Sequence, residues 1–271
     1  MISIAVAQYP VTGDVSRNRA VIQETMHLAK QAGVRLLHLT EGALSGYTKH
    51  HTQGWSTVDW SLLDEELALI CELAKDLKLW VVLGSISAPV EGEFPRNSLF
   101  VISDSGLGQG RYDKRYCSHT ETGNWFTAGE VPYFFEVDDF RFGCALCIEI
   151  QFSELFLEYE TLGVDCVLLS AFSRDSMYWT QSQGHAASNT LWLSVAAPSQ
   201  MGSKLTSGVI GPNGECIVRA KSGEQPELLI APLDRHSPDL QIALTKARPW
   251  RRQARSGSVY GRSPLPSAKL T

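Results

Sequence analysis

The chain has 271 residues, of which 44% are hydrophobic and 20% charged; this balance excludes a disordered or fibrous protein and supplies enough apolar mass for one large layered core. The formal net charge of −5 excludes binding to nucleic acid through a basic face. The opening "MISIAVAQYP" has neither a basic n-region nor an apolar run of membrane-spanning length, so a cytoplasmic protein with no membrane partner is expected.

Taken in chain order, "ISIAVAQ" is a short run rich in β-branched residues and predicts a buried strand. A helix follows to about Gly33, capped by Ser16, with Ile22, Met26 and Ala29 on one stripe. "VRLLHLT" predicts a second buried strand that ends at Glu41. Ser61 and Asp64 resemble a capping box for a helix burying Leu63, Leu67, Ile70, Ala74 and Leu77. "LWVVLGSIS" and "NSLFVIS" read as strands, and "SDSGLGQG" as the turn into "RYDK". "YFFEV" and "FRFGCAL" form a pair around Asp138 and Asp139. "SELFLEYETLG" and "SMYWTQSQGHAASNT" read as helices, each followed by a strand, "VDCVLLS" and "LWLSVAA". "SGVIGPNGECIVRA" turns at Pro212-Asn213-Gly214, and "ELLIAPLD" is the last strand.

This alternation predicts an α/β layered domain over residues 1–245, and its hairpins suit a sheet-on-sheet core with helices outside. Residues 246–271 begin with "KARPWRRQAR" and read as a basic C-terminal tail, solvated or packed on a partner.

Six cysteines are scattered along the chain with no disulfide framework. Two of them, Cys144 and Cys147, stand three residues apart in "FRFGCALCIEIQFSE". A structural zinc site needs four ligands, but no second cysteine pair is near, and His119 and His185 stand alone. A redox pair opens a helix with its first sulfur exposed, whereas "GCAL" continues an apolar strand. Strand alternation puts Phe140, Phe142, Cys144 and Leu146 on one face and Arg141, Gly143, Ala145 and Cys147 on the other. Cys147 thus falls at a strand-to-helix bend, ahead of a helix that Ser153 caps. Such a position lowers a thiol pKa and exposes the sulfur. From this stretch alone, a buried structural thiol and a catalytic nucleophile are equally open.

"LTEGALSGY", "GRYDKRY" and "GCALCIEIQFSE" occur in that order and resemble the three signature blocks of the nitrilase, or carbon-nitrogen hydrolase, superfamily. "AVAQYPVTGDVSRN", "RNSLFVISDSGLGQG" and "SGVIGPNGECI" extend the resemblance over most of the chain. It implies a four-layer α-β-β-α sandwich and a triad of Glu41, Lys114 and Cys147. It also implies a second glutamate near the lysine, for which Glu121 in "SHTETGNWFTAG" is the candidate.

The implied activity is hydrolysis of a small linear amide or N-carbamoyl compound through a cysteine thioester. Lys114 and the backbone N–H of Ile148 serve the oxyanion, with no metal and no cofactor. A nitrile-cleaving enzyme and a non-catalytic member that binds an acyl ligand or a protein are the alternatives. The chain departs from the family pattern at Ile148, Gln151, Ser153, "HAASN" (His185–Asn189) and "AAPSQ", departures that bear on substrate identity. Tyr47, His119, Trp125, Phe172, Tyr178 and Trp179 are the expected pocket walls, and a homodimer or larger homo-oligomer is the implied assembly.

Overall fold

In the first strand, β1 (Ile2–Gln8), alternate side chains serve two different cores. Ile4 and Val6 join one buried cluster, while Ala5 and Ala7 join another, as the two-residue period of a strand dictates. The same division runs through the whole computed structural model, which describes residues 1–202, 204–221 and 225–261. The elements that follow are α1 (Val15–Gln31), β2 (Leu36–His38), the short α2 (Thr48–His51), α3 (Trp60–Leu77), β3 (Trp80–Ser87), β4 (Arg96–Ile102) and β5 (Gly108–Asp113). The second half contains β6 (Phe134–Val137), β7 (Phe140–Leu146), α4 (Ser153–Thr161), β8 (Cys166–Ser170), α5 (Met177–Asn189), β9 (Trp192–Ala196), β10 (Gly208–Ile210), β11 (Cys216–Arg219), β12 (Glu227–Leu233) and α6 (Arg248–Ser256).

Two six-stranded sheets result, ordered β12-β1-β2-β3-β4-β5 and β11-β10-β9-β8-β7-β6. Each has a parallel centre, β1-β2-β3 in one and β7-β8-β9 in the other. Antiparallel strands flank both centres. The sheets face each other across a core that contains Leu36, Val82, Leu99, Phe142, Leu168 and Trp192. On its outer side the first sheet buries Ile22, Met26 and Ile70 of α1 and α3. The second buries Leu155, Phe156 and Ala186 of α4 and α5. The architecture is a nitrilase-type α-β-β-α sandwich.

Both α1 and α3 start two residues earlier than their serines suggest. Asp14 accepts from the Arg17 N–H at 2.9 Å, and Asp59 accepts from the Leu62 N–H at 3.0 Å. A capping oxygen must reach the third residue ahead, and the aspartates, not Ser16 or Ser61, meet that spacing. The Ser16 hydroxyl instead donates to Glu66 at 2.6 Å. Ser153 is likewise the first residue of α4 rather than its cap.

The C-terminal segment is corrected as well. Its described part, 246–261, includes α6, whose arginines grip the neighbouring helices instead of running free in solvent. Arg252 and Arg255 both pair with the buried Glu160 of α4, and Arg248 and Arg251 donate to the carbonyls of Thr190 and Ala187 at the end of α5. Residues 262–271 of that predicted tail lie outside the described residues.

A histidine ties the two sheets together. His38 of β2 is fully buried, with Nδ1 2.9 Å from the Ser194 hydroxyl and Nε2 2.9 Å from the Ser170 hydroxyl. The Ser170 hydroxyl gives its single proton to the Leu39 carbonyl at 2.8 Å. Nε2 must therefore carry a hydrogen and donate to Ser170, which leaves Nδ1 to accept from Ser194. Burial pushes the imidazole down to about 3, so His38 is neutral in the fold.

The unfolded chain gains a proton at this residue below about pH 6.5 while the folded chain does not. Stability is complete above that pH and falls by about 1.4 kcal/mol per pH unit beneath it. Urea unfolding at pH 7.5 and 4.5 is expected to give a shallower pH slope for His38→Gln than for the wild type. Equal slopes would mean that His38 takes up a proton inside the fold.

Candidate active site

The C-terminal ends of the parallel strands in both sheets meet at one edge of the sandwich, where ligand sites of α/β sheets form. Glu41 follows β2 and is fully buried. Its loop lies so close to β3 that a Cβ at Gly84 would approach the Thr40 carbonyl to 2.1 Å; only glycine allows that approach. One Glu41 oxygen accepts from Asn97 Nδ2 at 2.7 Å, and the other accepts from the Phe172 N–H at 2.7 Å. Asn97 on β4 also holds the next member, because its carbonyl accepts the Lys114 N–H at 2.9 Å.

Lys114, one residue past β5, buries its ammonium between two carboxylates. Nζ lies 2.9 and 3.0 Å from the two oxygens of Glu121 and 3.4 Å from Glu41 Oε1. Glu121 is further fixed by the Ser118 N–H at 2.7 Å. Burial by itself would push the lysine down, but Glu41, Cys147 and Glu121 outweigh it and hold the ammonium well above the ordinary lysine range. Burial raises the Glu121 carboxyl, yet the Lys114 charge and the Ser118 N–H prevail and leave it below its usual range. Glu121 is thus the tighter partner of the cation, and Glu41 the looser one.

Cys147 follows β7 with φ +52°, a left-handed turn that is costly for a residue with a Cβ. Its sulfur is 4.0 Å from the Tyr178 hydroxyl. Burial, and then the negative charge of Glu41, push the thiol up to about 12 against the opposing pull of Lys114. The lowered thiol expected from the sequence is therefore corrected. A 3₁₀ turn, Cys147–Gln151, separates the sulfur from the start of α4, and two carboxylates face one ammonium around it. Cys144 points the other way, into the inter-sheet core, as strand alternation predicts.

A cavity of about 420 Å³ opens onto this group. Lys114, Glu121, Cys147 and Ile148 line it, together with three of the expected walls, Tyr47, Phe172 and Tyr178. The other three are elsewhere. His119 is exposed, Trp125 packs edge-on against Trp55, and Trp179 lies under the Arg219 guanidinium. Sequence reasoning missed His50, Ser118, Ser173, Arg174 and Met201, which also line the cavity. His50 lies in the single-turn α2 and Met201 in a 3₁₀ turn, and the others sit in connecting segments, all too short or irregular for a periodic pattern to mark an inward-facing residue.

Glu149 was legible only as a matching letter of a signature block, and its role is structural. It accepts from the N–H groups of Leu146, Arg115 and Tyr116 at 2.7, 2.7 and 3.0 Å, and from the Tyr112 hydroxyl at 2.8 Å. The carboxylate therefore joins the strand end that carries Cys147 to the segment that follows Lys114. "HAASN" also has an explanation in the structure. His185 stacks on Phe156 and donates from Nε2 to the Ile150 carbonyl at 2.8 Å, bracing the turn after Cys147. Among the described residues, no group of three His, Cys, Asp or Glu side chains is placed to hold a metal ion, and no helix is long and apolar enough to cross a membrane.

The sequence pattern of the carbon-nitrogen hydrolase family matches residues 3–239. The chain belongs to the carbon-nitrogen hydrolase family. Within it, the chain is 26% identical over 259 residues to the chloroplastic omega-amidase of Arabidopsis thaliana, covering 86% of this chain and 67% of that protein. It is 24% identical over 185 residues to a deaminated glutathione amidase of Synechocystis sp., covering 60% of this chain and 66% of that one. These matches span about two thirds of each relative's length. An amidase from Nesterenkonia sp. AN1 has the same fold, with a TM-score of 0.79 at 18% identity over 94% of this carbon-nitrogen hydrolase and 99% of the other chain.

Two outcomes are expected of the site. Methylthiolation of Cys147 by a neutral thiosulfonate, followed by mass spectrometry, should keep accelerating from pH 6 to 9.5. Glu41→Gln should react more slowly near pH 7, because the carboxylate that takes the thiol proton is gone; a wild-type rate that plateaus below pH 8 would mean a resting thiolate. Glu149→Gln leaves one strand-end N–H facing an amide NH₂, so it should cost about 1–3 kcal/mol in denaturant unfolding. It should also slow turnover, and unchanged stability would show that the four donors find other partners.

Proposed function

We propose that the chain hydrolyses the C–N bond of a small linear amide through a thioester on Cys147. The observation that carries this reading is the arrangement around one cavity of a protonated thiol, a cation chelated by one carboxylate, and a second carboxylate behind them that is loosely tied to that cation. An amide carbonyl is a weak electrophile and ammonia a poor leaving group, so the reaction is divided into two acyl transfers.

Glu41 accepts the thiol proton as the sulfur attacks the carbonyl carbon. The negative charge that develops on the substrate oxygen is met by the Lys114 ammonium and the Ile148 N–H, each such donor contributing about 3 kcal/mol. As the tetrahedral adduct collapses, Glu41 returns its proton to the departing nitrogen, so ammonia leaves and the acyl group stays on sulfur. Glu41 then deprotonates a water molecule, which attacks the thioester. The second collapse releases the acid, and the proton held by Glu41 returns to sulfur. One amide and one water become one acid and one ammonia.

A base that must act three times cannot be locked in an ion pair. The division of labour fits this need, since Glu121 chelates the ammonium with both oxygens while Glu41 touches it at 3.4 Å. The amidase names of the two relatives support an amide over a nitrile.

Ammonia release from a panel of short amides, with none from the matching nitriles, is the expected result. Cys147→Ala should abolish release and also the acyl adduct seen by mass spectrometry after brief exposure to substrate. Cys144→Ala should retain turnover and lose only about 1 kcal/mol of packing stability. Turnover that survives in Cys147→Ala would refute the reading, and a folded wild-type protein that takes no acyl label from a broad panel would point to a non-catalytic binder.

A further inference from the structure

We propose that Tyr178 is a catalytic residue of this site: its hydroxyl donates to the Cys147 sulfur, steadies the thiolate each time one forms, and leaves the thiol's own proton for Glu41. The role rests on the amide-hydrolase reading above, in which Cys147 is the nucleophile.

The Tyr178 hydroxyl lies 4.0 Å from Cys147 Sγ, within the longer range of a sulfur acceptor. Among the described residues no oxygen or nitrogen acceptor competes for its proton, and a phenol has only one to give. The side chain is 5% exposed. Burial, and then the charge of Cys147, hold the phenol far above its ordinary range, so it stays a donor while the sulfur changes charge. The other donors near the sulfur are committed. The Phe172 N–H acts on it but gives its proton to Glu41 at 2.7 Å, and the Lys114 ammonium is held by Glu121 and Glu41.

The surroundings of the phenol give its proton a direction. The Asp175 N–H donates to Ser173 Oγ at 3.1 Å, and the Ser173 hydroxyl acts on the Tyr178 oxygen as a donor. Protons in this short chain therefore point one way, from Asp175 through Ser173 and Tyr178 to sulfur. The helix adds rigidity. Tyr178 stands in the first turn of α5, whose start is held by the Met177 N–H donating to Asp175 Oδ1 at 2.9 Å. Seven residues on, His185 reaches the Ile150 carbonyl in the turn after Cys147. Residues at that spacing share a helix face, so one face of α5 holds both the sulfur and the turn that carries it.

Negative charge appears on sulfur twice per cycle, when Glu41 takes the thiol proton and when the thioester breaks. At both points the phenol donates without releasing its proton, so no bond to its oxygen is made or broken. The titratable groups that face Cys147 are Glu41, Lys114, Glu121, Tyr47 and Tyr178, and His50 shares the cavity. Of these, Tyr178 alone is within hydrogen-bond range of the sulfur.

Methylthiolation by a neutral thiosulfonate, followed at Cys147 by mass spectrometry, reads the thiolate without turnover. Loss of one hydrogen bond makes a thiolate about tenfold rarer, while the freed sulfur becomes a better nucleophile. The rate should therefore fall about threefold in Tyr178→Phe at each pH from about 7 to 9.5. Replacing Tyr178 by 3-fluorotyrosine, a more acidic phenol of similar size, should raise the rate above the wild type. In ammonia release from butyramide, Tyr178→Phe should lower kcat on the order of tenfold and leave KM about unchanged.

A thiol rate that Tyr178→Phe leaves untouched or speeds overturns the proposal, as does a defect confined to KM, which would make Tyr178 a substrate contact only. A fluorotyrosine protein as slow as Tyr178→Phe also overturns it, because packing then explains both. The fluorotyrosine protein keeps the hydroxyl and decides alone if Tyr178→Phe does not fold. Amide hydrolysis with an unchanged thiol rate removes the role of Tyr178 and leaves the amidase reading standing. Thiol rates in the expected order with no hydrolysis of any amide keep the hydrogen bond and remove the amidase reading.

Discussion

A buried ammonium is the constraint around which this protein is arranged. Lys114 is 1% exposed, and a charge so deeply placed costs several kcal/mol unless it is paired and hydrogen-bonded. Two carboxylates from different parts of the chain meet that cost. Glu41 arrives at the end of β2, and Glu121 from the loop after β5. Burial first, and then two negative charges around one positive, disfavour a further anion, which is why the Cys147 thiol is pushed up instead of down. The same surroundings that hold the ammonium charged therefore favour a proton on sulfur at rest.

The sandwich makes this meeting geometrically reasonable. Both sheets have parallel centres, so the ends of β2, β7 and β8 open at the same edge of the inter-sheet core. Glu41 comes from one sheet, and Cys147 and the Phe172 N–H from the other. Any sliding of one sheet over the other would separate Glu41 from Cys147 and from the Phe172 N–H. His38 opposes such sliding, since it spans the gap as a neutral ring with a serine at each nitrogen.

Much of this is legible in the sequence, for physical reasons that can be named. The two-residue period of "FRFGCAL" assigns Cys144 to the core and Cys147 to the opposite face, because a strand with one face on a sheet-sheet core has no alternative. The apolar run that stops at Glu41 announces a strand end, and the order of the three signature blocks points to the family. What escapes is tertiary. Asn97 reads as an ordinary polar residue opening a strand, and nothing local shows that its amide holds Glu41. Arg248, Arg251, Arg252 and Arg255 look like a solvated basic run until α4 and α5 supply Glu160 and open helix carbonyls. Aromatic residues near the signature blocks divide into three that line the cavity and Trp125 and Trp179, which pack elsewhere; their sequence neighbourhood is the same.

The bond pattern at Glu149 has a consequence for how such a scaffold can diversify. One carboxylate anchors the nucleophile's strand end and the lysine's outgoing segment, so neither can drift without dragging the other. Variation that kept this arrangement would be channelled away from this hub, toward residues such as Arg174, whose guanidinium holds nothing else in place among the described residues. The fold thereby separates a braced inner group from an exposed rim that can be edited without disturbing it.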